Sequence, residues 1–145
     1  MTSGLDKLST RQRTLLNQWL PQASVEKDHS WGQVETTVLE LTNAGSRFIV
    51  KAGGESDQHI EREIHAHLRW LDPWTSRGRA PALEHHDAEA KLLVTRYVPG
   101  DLALGSEYVD DPSTYRQAGE LLALLPAPTP ATDNDYEAPE TRKSP

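Results

Sequence analysis

The sequence predicts an α+β fold, with an antiparallel sheet of about five strands and a helix packed against one face. Two observations point there. Apolar residues alternate along the chain between a helical period and a period near two, and turn-forming residues stand where the period changes. The resulting order is helix, about three strands, helix, two strands, a short linker and a last helix.

Each element has its own signal. Leu5, Leu8, Leu15, Leu16, Trp19 and Leu20 recur at helical spacing and Pro21 follows, so an amphipathic helix is expected near residues 9 to 20, lying as a lid over the sheet. From Val25 onward, Val34, Val38, Leu39 and Leu41 stand among Thr and Glu, which favours strands. Asn43-Ala44-Gly45-Ser46 supplies a turn, and Arg47 to Ala52, bounded by that turn and by Gly53-Gly54, reads as the returning strand of a hairpin. Ser56 or Asp57 can cap a helix whose apolar stripe is Ile60, Ile64, Leu68 and Leu71, with Asp72-Pro73 ending it. A polar stretch from Trp74 to Ala80 leads to a short strand near Ala82 to His86, a turn at Asp87 to Ala90 and a strand from Lys91 to Tyr97, closed by Pro99-Gly100. Asp111 can cap and Pro112 can open a last helix reaching about Leu125, where Pro126, Pro128 and Pro130 forbid continuation. These signals divide the chain into an N-terminal helical segment at 1–24, a sheet unit at 25–100, a linker and helix at 101–125, and a Pro-rich tail at 126–145 expected to be disordered.

Composition narrows the chemistry. A chain of 145 residues with 36% hydrophobic content has room for one modest core. No apolar run approaches the roughly 20 residues of a membrane span, and Met1 to Ser9 lacks the basic-then-apolar order of a secretory signal, so a cytosolic location away from membranes is expected. Without cysteine, disulfides, thiolate metal sites and cysteine nucleophiles are excluded. The formal charge of −7, spread without a basic stripe, argues against a nucleic-acid surface, because phosphate backbones are met by clustered Lys and Arg. The expected ligand is small.

Four features stand in a fixed order. Asp28-His29-Ser30-Trp31-Gly32-Gln33, between two strands, can form a turn that aims backbone amides at anionic oxygens, although it holds one glycine. Lys51 closes the apolar run Phe48-Ile49-Val50 and is therefore held on a strand, where it can act as a fixed point charge for phosphate oxygens. Glu63 lies at the border of the stripe made by Ile60 and Ile64, on the side facing the sheet, whereas Glu61 points outward. Leu92-Leu93-Val94-Thr95-Arg96-Tyr97-Val98-Pro99-Gly100 is an apolar strand running into an extended linker, which exposes backbone donors and acceptors that a purine edge could occupy.

Strand lysine, helix glutamate and strand-to-linker hinge, in this order and at these separations, resemble the N-terminal lobe of the aminoglycoside phosphotransferase family, relatives of protein kinases and choline kinases. The likeness runs from about Trp31 to Leu125, and the hinge-like phrase Leu92 to Gly100 carries most of it. The resemblance implies a kinase-like nucleotide-binding lobe with a packed C-type helix and a helix after the hinge. It implies ATP or GTP as the bound nucleotide, with magnesium in the intact family. Lys51 would contact the α and β phosphates with Glu63 as its ion-pair partner, and Ser30 and its neighbours would cover the phosphates. The backbones of Thr95 and Tyr97 would hydrogen-bond the base, between apolar walls from Ile49 and Val94.

Phosphoryl transfer in that family depends on an aspartate in a His-x-Asp-x-x-x-x-Asn loop and on a further magnesium-binding aspartate. Neither motif occurs in the sequence: His85-His86-Asp87 gives the first three letters, but Leu92 stands where the asparagine belongs. The expectation is therefore a nucleotide lobe that stops before the catalytic groups and is inactive alone, with its partner a separate or missing C-terminal lobe. The last helix agrees with this on physical grounds, since Leu121-Leu122-Ala123-Leu124-Leu125 after Ala118 is apolar around most of its circumference. The alternative is a non-catalytic module that pairs with another subunit through that helix.

Other residues invite blander readings. His59, Glu63 and His67 share a helix face at a spacing of four but lack a fourth ligand, so solvated histidines are expected rather than a metal row. Trp19, Trp31, Trp70 and Trp74 are read as buried or half-buried packing rather than ligand platforms. Ser30 has no nucleophile elbow around it.

Overall fold

The structure, a computed structural model, describes residues 4 to 126. It is α+β, with a five-stranded antiparallel open sheet and four helices. In chain order the elements are α1 (Thr10–Trp19), β1 (Ser24–Asp28), β2 (Thr37–Asn43), β3 (Ser46–Ala52), α2 (His59–Arg69), α3 (Asp72–Thr75), β4 (Leu83–Asp87), β5 (Leu92–Arg96) and α4 (Pro112–Ala123), with short 3-10 turns at Leu5–Lys7 and Glu107–Asp110. The sheet order is β1-β2-β3-β5-β4.

Register decides which side chains share a face. Val50 lies opposite Leu39 and Val94, and Lys51 opposite Val38 and Leu93. Because side chains alternate along a strand, Phe48, Val50 and Ala52 go to one face and Arg47, Ile49 and Lys51 to the other. The first face is the main core, where Leu39, Leu41, Phe48, Val50, Leu92 and Val94 are buried against Leu8, Leu16 and Leu20 around α1. Burial of each such leucine contributes about 1.5–3 kcal/mol before the entropy of ordering it.

The helix at the chain's start therefore carries more of the core than the later helix with the stronger stripe. It is fixed by a capping box, in which Ser9 Oγ accepts from Gln12 N at 3.1 Å and Gln12 Oε1 accepts from Ser9 N at 3.0 Å. The buried Gln12 amide then donates from Nε2 to Gly53 O at 2.9 Å and Ala90 O at 2.8 Å, keying α1 to the ends of two turns. On the other face α2 contributes only Ile60 and Ile64, packed with Leu93 and Leu83. Leu68, expected in the stripe, is 62% exposed, because only the first part of α2 rests on the sheet.

Several expectations need correction. Asp72-Pro73 does not simply end a helix: proline is tolerated in a first turn, and the four-residue α3 begins there. Val34 lies in the β1–β2 loop and is exposed, as is Trp31, which is therefore not a packing residue. The tail expected at 126–145 lies, from residue 127, outside the described residues. Among the described residues no helix is long and apolar enough to cross a membrane.

Candidate functional site

The side chains of interest meet on the sheet face opposite α1. The β2–β3 hairpin holds Lys51 on that face, and the segment after β3 fixes α2 beside it. Asp57 Oδ1 accepts from His59 N at 2.8 Å and Ile60 N at 3.0 Å, capping the helix, while Oδ2 accepts from Thr36 Oγ1 at 2.5 Å. A Cβ on Gly53 would stand 2.8 Å from Asp57 Cβ, so only glycine lets this carboxylate approach. Glu35 clips the same segment through Ser56, at 2.6 Å to Oγ. Burial pushes the Asp57 carboxyl upward, but its bonds from Thr36 and from the Ile60 and His59 amides outweigh that and hold it below the usual carboxylate range.

One turn into the helix so fixed, Glu63 Oε1 lies 2.6 Å from Lys51 Nζ, and each side chain is 31% exposed. The two groups thus meet across a sheet–helix contact. His67, one turn further, is half-buried beside them. Burial lowers its pKa, with the Glu63 charge opposing that and the Lys51 charge adding to it. In the row His59, Glu63 and His67 the central carboxylate is taken by Lys51, and among the described residues no three His, Asp or Glu side chains are gathered as a metal-ligand group.

Lys51 opens onto a cleft of about 680 Å³, within the size range of small-molecule sites. Val38, Ile49 and Thr95 line its apolar part, and the segment Tyr97, Val98 and Gly100 to Leu102 forms its far border. In a chain of net charge −7, this cleft gathers Lys27, Arg47 and Lys51 beside Glu40 and Asp101, with Glu63 paired to Lys51, whereas the Arg96 guanidinium turns to the other face, over Phe48 and paired with Glu84. Lys27, without an ion-pair partner among the described residues, and the braced Lys51 ammonium are the positive charges this face can offer an anion. At its outer end the buried Glu40 meets Arg47 at 2.9 Å and His29 at 3.3 Å, and the Arg47 guanidinium sits 4.6 Å from the Tyr97 ring centroid. A smaller cavity of about 230 Å³ lies under α1 among Leu5, Leu16, Leu20 and Leu41 and presents only Arg13 as a charge.

The residues expected from the sequence do not all arrive together. Lys51, Ile49 and Thr95 line the cleft and Glu63 braces Lys51, but Val94 does not line it. It is fully buried on the opposite face with Val50 and Leu92, since alternation along β5 sends Leu93 and Thr95 one way and Val94 the other. Val38 supplies the second apolar wall instead. Nor is the Tyr97 amide available to a base, because it donates to Arg47 O at 3.1 Å, and the Thr95 backbone pairs with Ile49 in the ladder. The Val98 amide, one residue on, has no hydrogen-bond partner among the described residues and borders the cleft. Ser30 is also differently engaged: its hydroxyl accepts from Val38 N at 2.9 Å and closes the base of the β1–β2 loop. Trp31, Gly32 and Gln33 keep amides without hydrogen-bond partners among the described residues, at the loop tip.

Arg47, Glu40 and Lys27 were not singled out in the sequence. Period two counted back from Lys51 reaches Arg47 and would have found the first, but Glu40 and Lys27 depend on register across β1 and β2. His85-His86-Asp87 serves structure, with the His85 ring stacked on Trp19 at 5.2 Å and Asp87 Oδ1 accepting from Ala90 N at 2.8 Å.

No protein-family model, curated protein or solved structure matches this chain.

Proposed function

We propose that this cleft binds a purine nucleoside triphosphate, ATP or GTP, as the nucleotide lobe of an aminoglycoside-phosphotransferase-like small-molecule kinase does. The observation that carries the reading is the Lys51–Glu63 ion pair at 2.6 Å on the wall of a cleft bordered by an extended linker. Glu63 fixes the ammonium, so that Lys51 offers phosphate oxygens a charge already in place, and orientation costs little when the ligand arrives. Ile49 and Val38 offer apolar contact to a base, and the Val98 amide offers it a donor. Lys27 faces the same cleft and has no ion-pair partner among the described residues, which leaves it available to a phosphate.

Any magnesium would arrive with the nucleotide, held mainly by its phosphate oxygens and water. The sequence holds no His-x-Asp-x-x-x-x-Asn segment, so this chain alone binds without transferring the phosphoryl group. Isothermal titration with Mg-ATP and Mg-GTP tests the reading. The expected result is saturable binding that Lys51→Ala weakens by about ten- to a hundredfold, the worth of one or two charge-assisted hydrogen bonds. Unchanged affinity in the variant removes the phosphate-clamp assignment, and absence of binding by the wild type removes the whole reading.

A second reading draws on α4, where Tyr115 and Leu122 are 63% and 64% exposed and Trp74 Nε1 donates to Leu121 O at 2.6 Å. An apolar helix exposed in this way fits a module that pairs with another subunit. Concentration-dependent association without nucleotide affinity, measured by sedimentation, would favour it.

A further inference from the structure

We propose that the cavity under α1 is a second binding site, for a small monocarboxylic acid with an apolar body, whose carboxylate pairs with Arg13. The site lies on the sheet face opposite Lys51 and is independent of the nucleotide reading. Arg13, Leu16, Asn17 and Leu20 follow one another at spacings of three, one and three, so they share one face of the first helix and its cap. Leu16 and Leu20 are buried, and Leu41, fully buried on β2, forms the floor beneath them. Leu5 and Ala23 complete the apolar lining. The cavity is therefore apolar inside and polar only where the exposed Arg13, Asn17 and Gln22 border it.

Size and charge fix the class of occupant. Close-packed cores leave few voids larger than a water molecule, whereas this one measures about 230 Å³. An apolar cavity of roughly 150 Å³ stays dry and holds benzene, so this space takes an aromatic ring and a short arm. No Asp or Glu lines it, and Arg13 has no ion-pair partner among the described residues. A guanidinium at the rim presents a planar fork of donors that matches a carboxylate. Asn17, one turn further along α1, adds an amide donor beside it. The rim backbone is tied to the sheet, because Asn43 Nδ2 donates to Pro21 O at 2.7 Å. Gln22, next to that carbonyl, holds a φ of 58°, a left-handed conformation uncommon for a residue with a side chain.

Titration with 3-phenylpropionate and with its uncharged amide, 3-phenylpropanamide, tests this in wild type, Arg13→Gln and Ala23→Leu, followed by amide chemical shifts of the labelled chain. Arg13 is exposed, so its replacement leaves the core intact, and Ala23→Val supplies a second cavity-filling chain if leucine impairs folding. The acid is expected to give saturable shifts at Leu16, Leu20 and Ala23 and to bind about fivefold more tightly than the amide, the most an exposed ion pair usually supplies. Arg13→Gln is expected to remove that advantage while leaving the amide's affinity unchanged, and Ala23→Leu to abolish binding of both. Equal affinity for acid and amide in the wild type, or an advantage that survives Arg13→Gln, overturns the carboxylate assignment. Absence of saturable shifts, shifts at Ile49 and Lys51 instead, or binding unchanged in Ala23→Leu overturns the site, and none of these outcomes touches the nucleotide reading. A wild-type dimer that Ala23→Leu dissociates would overturn it too, by giving the groove to a second copy of the chain.

Discussion

Asp57→Ala is expected to destabilise the protein by about 2–3 kcal/mol, and the figure follows from what the carboxylate holds. It accepts two backbone amides at the start of α2, from His59 at 2.8 Å and Ile60 at 3.0 Å, and one hydroxyl from Thr36 at 2.5 Å. Loss of a helix cap costs about 1 kcal/mol, up to about 2. A half-buried hydroxyl left without its acceptor adds about 1 kcal/mol. Asp57→Asn keeps an oxygen that can cap and loses mainly the charge at the helix N-terminus, so about 0.3–1 kcal/mol is expected from it. Urea denaturation followed by far-UV circular dichroism measures both, with an unchanged m value showing that stability alone has moved. Thr36→Val completes the test: it costs about 1 kcal/mol in the wild type and almost nothing on top of Asp57→Ala, because the two changes break one interaction. Equal losses from Asp57→Ala and Asp57→Asn, or additive losses from Thr36→Val and Asp57→Ala, would refute this account of how α2 is fixed.

Ala44 and Gly45 occupy the β2–β3 turn with φ of 49° and 81°, a left-handed pair in which asparagine fits better than alanine, so Ala44→Asn is expected to raise the urea midpoint by about 0.5–1 kcal/mol of stability, and a fall would contradict the turn assignment. In acid, stability is expected to decline in two windows. His67 is less basic folded than unfolded, so protonation favours the unfolded chain as pH falls below about 6.5, and His67→Gln removes this first decline. Asp28, held to about 2 by its side-chain bond from Lys7 and those from Ser30, and Asp57, also lowered, contribute stability that is present above their ordinary value of 3.8 and lost as pH falls toward 2. A pH titration of the urea midpoint that stays flat from pH 7 to 2 would contradict both assignments.

Strands were legible wherever turn chemistry bounded them. Asn43-Ala44-Gly45-Ser46 marked the hairpin that sets β2 against β3, and Ser9 with Gln12 forms a start signal for α1 that is visible in one dimension. The approach of Lys51 to Glu63 was legible for a related reason: alternation on a strand and a helical stripe each fix one side of the contact. What the sequence did not show is which face belongs to the core and which to the cleft. The run Leu92 to Val94 is apolar on both faces because β5 is covered by α1 on one side and α2 on the other, so periodicity could not assign Val94. Nor does the sequence show that the Tyr97 amide is taken by Arg47 O, since that depends on how far the β3–β5 ladder extends. Leu68 belonged to a good stripe, but its exposure depends on how far α2 stays in contact with the sheet.

The central claim is that the sheet face carrying Lys51, and not the cavity under α1, receives a nucleotide. Amide chemical-shift mapping of the labelled chain during titration with Mg-ATP tests this most directly. Saturable shifts are expected at Ile49, Lys51, Thr95 and Val98, with little change around Leu16 and Leu20. Shifts confined to α1, or no saturable shift at millimolar nucleotide, would contradict it.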